Sequence, residues 1–187
     1  MTCWYAQYWR TSGAADEASW RITLTLRKTR LSNTGPFAEN VLSGGFAAPG
    51  ANFQLVDKNT EIAPGMYLIA LLSDKPGTLE VKELSLAIKS PKGVILILGC
   101  SHPVVEQIMH EAASIDSHIT IVLGGLHQIQ ASDSEAERIA DVLHDQYKID
   151  RIAPGHCTGE QEFAALKKSF GDHYVYAGVG SVVDLLK

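Results

Sequence analysis

The chain has 187 residues, enough for a real hydrophobic core. Asp and Glu (21) outnumber Lys and Arg (16), for a formal charge of −5. This balance argues against nucleic acid or an anionic membrane surface as a partner. No apolar run approaches the ~20 residues that span a bilayer. The opening "MTCWYAQYWRTSG" lacks the charged and apolar regions of a signal peptide, so a cytoplasmic home is the expectation. Three cysteines (Cys3, Cys100 and Cys157) are too few, and odd in number, for a disulfide framework.

In chain order, residues 1–52 read as an irregular segment, not a complete half-domain. "CWYAQYW" clusters Trp4, Tyr5, Tyr8 and Trp9, either as core or as cover for an exposed sheet face. "SWRITLTLRKTRL" alternates like a strand, with Ile22, Leu24 and Leu26 on one face. "SNTGP" and "SGGFAAPGANF" carry turn and loop chemistry.

From residue 80 the pattern becomes regular. "ELSLAIKS" alternates through Leu84, Leu86 and Ile88, "SPKG" turns, and "VILIL" reads as a strand buried on both faces. The two predict a hairpin. Pro103 suits the first turn of a helix whose apolar stripe is Val105, Ile108, Met109 and Ala112. "HITIVL" (118–123) predicts the next strand. Ser132 and Glu135 form a capping box that opens a helix with Ala136, Ile139, Ala140 and Leu143 inward. "IDRIA" (149–153) is a short strand. Phe163, Leu166 and Phe170 mark a third helix with Gly171 as its C-cap, and "HYVYA" (173–177) predicts a last strand. Strand and helix therefore alternate through the second half, the pattern of an α/β fold.

Three of these strands end alike. "VILIL" runs into Gly-Cys-Ser-His102, "ITIVL" into Gly-Gly-Leu-His127, and "RIA" into Pro-Gly-His156-Cys-Thr-Gly. If the strands are parallel neighbours, all three histidines emerge at one sheet edge, where ligands gather in such sheets. Neutral imidazole is the commonest metal ligand. His110 and His144 on helices, and His118 and His173 at strand starts, read as structural or solvated. A thiol hydrolase built on Cys157 beside His156 is disfavoured, because adjacent residues seldom face each other along an extended chain.

"ELSLAIKSPKGVILILGCSHP", "IVLGGLHQIQ" and "IAPGHCTG" together resemble the second half of a metallo-β-lactamase-fold branch. That branch comprises metal-dependent hydrolases and dihydropterin–ribofuranosylaminobenzene phosphate synthases. "FQLVDKNTEIAPGMYL" (53–68) resembles its middle segment. The resemblance implies that residues 53–187 are the C-terminal portion of an αββα sandwich with one or two metal ions, zinc or another divalent metal, at a sheet edge. It implies His102 and His156 as metal ligands and His127 as a group near a small-molecule substrate. Thr158 and Gly159 fall in a loop beside the site. Cys100 stands about where many members carry a bridging aspartate, and is not counted as a ligand. The superfamily's first-half signature, His-x-His-x-Asp-His, is absent, since no histidine precedes His102. Two functions from different classes follow. One is metal-dependent hydrolysis of an ester or phosphoester-type bond. The other is a non-catalytic, truncated remnant that folds as a homodimer or interaction module.

Overall fold

The computed structural model describes residues 56–73 and 82–185, together with the backbone of one short pair in the first part of the chain. The chain divides into two compact units, 1–54 and 55–187. Within the first, β1 (Ala6–Gln7) pairs antiparallel with β2 (Thr23–Leu24), inside the alternating stretch expected to form a strand. The Trp4–Trp9 aromatic cluster otherwise lies outside the described residues.

The second unit is built on one mixed sheet of six strands in sequence order: β3 (Thr60–Ala63), β4 (Met66–Leu72), β5 (Lys82–Ser90), β6 (Gly93–Ile97), β7 (Ile119–Gly124) and β8 (Arg151–Pro154). Pairing is antiparallel from β3 to β6 and parallel from β6 to β8. The β5–β6 hairpin forms as the sequence predicts. The β3–β4 hairpin was not foreseen. Its turn is Pro64-Gly65, with Gly65 at φ 75°, a left-handed conformation that suits glycine as the second central residue of a tight turn.

Parallel neighbours need a crossover, and here each crossover is a helix. α1 (Val105–Ile115) joins β6 to β7, and α2 (Asp133–Asp141), extended by a wide π turn over Val142–Gln146, joins β7 to β8. α3 (Glu160–Phe170) follows β8. Ser132 caps α2, its hydroxyl accepting the amide of Glu135 at 3.3 Å. Val104, one residue past Pro103, is the N-cap of α1.

The main core lies between the helices and one sheet face. Val94, Leu96, Val122 and Ile152 meet Val105, Ile108, Met109, Ile139, Leu143 and Leu166, and all are buried. Each such side chain contributes roughly 1.5–3 kcal/mol on burial. The alternate residues Ile95, Ile121 and Ala153 face the other way, which is why "VILIL" shows no polar position. Leu72 and Leu84 are about half exposed.

The last predicted strand is not one. Tyr174 makes a single parallel bridge to Ile152, and Val175 donates its amide to the Ile152 carbonyl at 2.8 Å. Val175, Ala177, Val183 and Leu185 then pack on the Ile95–Ile121–Ala153 cluster. Val175 and Ala177 thus lie on the sheet's second face, Tyr174 packs against the main core, and Tyr176 is exposed.

α3 also buries a carboxyl group. Glu162 is fully enclosed, and neither carboxyl oxygen has a hydrogen-bond partner. Burial, reinforced by the negative charges of Glu135 and Glu106 and opposed by Arg138, pushes its pKa up to about 8 from the ordinary 4.5. Between those values the folded chain holds a proton that the unfolded chain releases. Stability therefore falls as pH rises from about 4.5 to about 8 and then levels. Glu162→Gln removes this contribution, so its advantage over the parent in urea midpoint grows across that window. Equal pH slopes for parent and variant would refute the assignment.

Candidate metal centre at the strand ends

Because β6, β7 and β8 are parallel neighbours, the three histidine-bearing loops leave the sheet at one edge. Backbone hydrogen bonds tie each loop to the next. Leu98 donates to Leu123 (2.7 Å), Gly125 to Gly99 (3.1 Å), Gly155 to Gly124 (2.9 Å) and Gln128 to Cys157 (3.1 Å). The Ser101 hydroxyl, fully buried, donates to the Gly125 carbonyl at 2.7 Å. Thr158 Oγ1 donates to Gly155 at 2.7 Å and closes the third loop on itself.

One carboxylate organises the first loop. Oε1 of Glu83 accepts the amides of Cys100 (2.8 Å) and Ser101 (2.6 Å), and Oε2 accepts the amide of His102 (2.9 Å). Nδ1 of His102 lies 2.8 Å from the same Oε2. An ionised carboxylate only accepts, so Nδ1 carries a proton, and in the neutral ring Nε2 is the atom with the lone pair. A carboxylate on the far nitrogen of a histidine is the usual outer-shell partner of a metal-ligating imidazole. Glu83 was not singled out from sequence. The signal was there: Glu83, Ser85 and Ala87 alternate along one face of β5, and Ser85 and Ala87 are buried. A charge in line with a buried face needs a partner.

Backbone strain concentrates here. Of five described non-glycine residues with positive φ, four belong to or adjoin these loops: Ser101 (65°), Val104 (69°), His127 (54°) and His156 (56°). Such conformations persist where the surrounding structure over-determines them, and they cluster at functional sites. Gly125 shows how close the loops come. A Cβ there would lie 2.7 Å from the Gly99 carbonyl, 2.8 Å from Cys157 Sγ and 3.2 Å from His156 Cδ2.

The histidines divide between two neighbours. The rings of His102 and His127 stand 4.3 Å apart, centre to centre, tilted by 49°. His156 instead brings Nε2 to 3.0 Å from Cys100 Sγ, and Cys157 Sγ lies 3.6 Å from the Cys100 carbonyl. Ligand atoms of Cys100, His156 and Cys157 all lie within 4.8 Å of one another, the one such set among the described residues. Cys157 is buried, Cys100 half-buried and His156 exposed, so the set is reachable from solvent on one side. Burial, with Cys157 and Glu83 nearby, pushes the Cys100 thiol up to about 12, so it is protonated when nothing is bound. Two thiols and an imidazole are a donor set that suits zinc and similar thiophilic ions. The other histidines stand apart. His110 is exposed on α1, His144 lies on the π turn, His118 meets Asp150 at 3.0 Å, and His173 is in a 3₁₀ turn.

No protein-family model matches the chain. A 7,8-dihydropterin-6-methyl-4-(beta-D-ribofuranosyl)-aminobenzene-5'-phosphate synthase of Methanocaldococcus jannaschii is 30% identical over 105 residues, covering 54% of this chain and 35% of that protein. An uncharacterized protein of the same organism is 38% identical over 92 residues, covering 49% of this chain and 34% of its own length. The chain thus spans about a third of the length of the curated relatives it matches. Among solved structures, Tm1679, a metal-dependent hydrolase of the beta-lactamase superfamily, aligns with TM-score 0.57 and 27% identity, covering 70% of this chain and 58% of that one. The mixed six-stranded sheet with its three helices is an α/β fold and a structural neighbour of the metallo-β-lactamase fold.

Proposed function

We propose that this chain is a metal-dependent hydrolase of the metallo-β-lactamase type, acting on an ester or phosphoester-type bond of a small molecule. The carrying observation is that Cys100, His156 and Cys157, a set able to hold a metal, come together at the ends of β6 and β8 in a fold that neighbours a metal-dependent hydrolase. His102 and His156 would hold zinc or another divalent ion. When bound, such an ion lowers the pKa of a water and polarises a carbonyl or phosphoryl oxygen. The chain's own contribution is positioning. Glu83 fixes the tautomer of His102 and, through three amides, the path of the loop that presents it. His127, exposed beside His102, would orient substrate or carry a proton.

A second reading has its own support. Leu72 and Leu84 leave apolar surface half exposed. A non-catalytic portion that pairs with its own copy would bury such surface. One experiment separates the two. With added zinc or manganese, the hydrolase reading expects turnover of a generic ester or phosphodiester well above background. The second expects no stimulation, and sedimentation showing a dimer that buries at least ~1,200 Å² in total.

A further inference from the structure

We propose that Cys100, His156 and Cys157 form a thiolate-rich metal site that takes a thiophilic divalent ion, zinc foremost, in preference to magnesium or manganese. This rests on the reading above that a metal occupies the strand ends; it keeps His156 as a ligand and puts Cys100 and Cys157 in the place of His102.

Three independent local features bring these donors together. The first is the backbone of His156. Consecutive residues on an extended chain project to opposite sides. At φ 56°, His156 is left-handed, and both it and Cys157 present ligand atoms toward Cys100. The second is Gly125. Any side chain there would occupy the space of Cys157 Sγ and crowd the His156 ring, so glycine keeps the ligand pocket open. The third is Glu83, whose carboxylate holds the amides of Cys100 and Ser101 and thereby fixes where the Cys100 side chain starts. Ser101, the next residue, is itself left-handed and pinned to the Gly125 carbonyl.

The chemistry balances without a redox partner. A divalent ion binds as both thiols give up their protons to solvent: two S–H bonds break, two metal–sulfur bonds form, and the centre becomes neutral with His156 uncharged. Neutrality suits a half-buried pocket with no cationic side chain among its three donors. Two cysteines and one histidine leave a tetrahedral ion one open position, the arrangement of a catalytic rather than a structural zinc. Thiolate ligands disfavour magnesium and manganese, which prefer oxygen donors.

The test is titration of the metal-free full-length chain with cobalt(II), a spectroscopic stand-in for zinc. Expected are about one cobalt per chain, a near-ultraviolet thiolate-to-cobalt charge-transfer band, two protons released per ion, and displacement by zinc but not by magnesium or manganese. Cys100→Ser and Cys157→Ser should each remove about half of the band. Loss of an outer-shell partner alone costs about 10–100-fold in affinity, so loss of either thiolate should cost at least about 100-fold. Cys3→Ser should change nothing. Should buried Cys157→Ser not fold, the parent still decides: its band must carry the intensity of two thiolates, and bound zinc must protect Cys100 from alkylation. Cobalt bound without the band, or a band that Cys157→Ser leaves intact, overturns the proposal. Failure here is distinct from failure of the hydrolase reading. A two-thiolate spectrum without turnover keeps this site and removes that activity, and manganese-supported turnover without the band does the reverse.

Discussion

Glu83→Ala is expected to lower the stability of the chain by about 3–5 kcal/mol, because several buried donors lose the one charged acceptor they share and each unsatisfied group costs about 1–3 kcal/mol. The side chain is only 10% exposed and its carboxylate receives three backbone amides and one imidazole N–H. Hydrogen bonds to a charged acceptor contribute about 1.5–3 kcal/mol each, but four on one group do not add independently. Alanine leaves the amides of Cys100, Ser101 and His102 pointing at a void between β5 and the loop. Ser101 is fully buried, so at least that amide cannot simply turn to water. Glu83→Gln is the milder change: it retains one acceptor oxygen, while its NH₂ opposes a donor that the carboxylate received. Urea unfolding reads the effect. Glu137→Ala serves as the reference, since its pair with Lys168 at 3.1 Å is exposed and is worth at most about 1 kcal/mol. If Glu83→Ala unfolds at the same urea concentration as Glu137→Ala, the carboxylate does not organise the site.

That carboxylate also marks where sequence reading stops. The strand ends were legible because composition carries them directly: an apolar run, a glycine, then a histidine, three times over. Parallel pairing of β6, β7 and β8 needed only the helical crossovers, which their apolar periodicity declares. The partner of "GCSH" was not legible, because Glu83 is seventeen residues upstream of Cys100 and meets it only once β5 and β6 pair. His156 and Cys157 were read as extended neighbours that face apart. Their convergence depends on the sign of one φ angle, which no residue type at that position announces. "HYVYA" failed differently. Its alternation is real, but alternation says only that one side is buried, and here the sheet's second face takes that side after a single bridge. The strand-end pattern supplied His102, His127 and His156 as a set, and the resemblance to the metallo-β-lactamase fold supplied their expected roles. The structure places the first two beside each other and turns the third toward a thiol.

His156→Ala is expected to abolish metal-dependent turnover if the chain is a hydrolase. His156 is the histidine whose ring nitrogen already faces another ligand atom, and it is the histidine of the set that converges. Its loss leaves two thiols half-enclosed and one coordination position fewer than a catalytic zinc ordinarily receives from protein. His110→Ala should leave turnover intact, because His110 is exposed on α1, away from the strand ends. The same pair of variants gives a different pattern if the chain is not catalytic. His156 is exposed, so removing its ring forfeits little packing, and its left-handed backbone is strained with alanine as with histidine. Stability should then change by no more than the ~0.5–3 kcal/mol of an ordinary substitution, with no activity to lose. Kinetics with and without zinc, run beside urea unfolding on both variants, separate the cases. A metal-stimulated rate that survives His156→Ala would place the reacting centre elsewhere and remove the strand-end site from the mechanism.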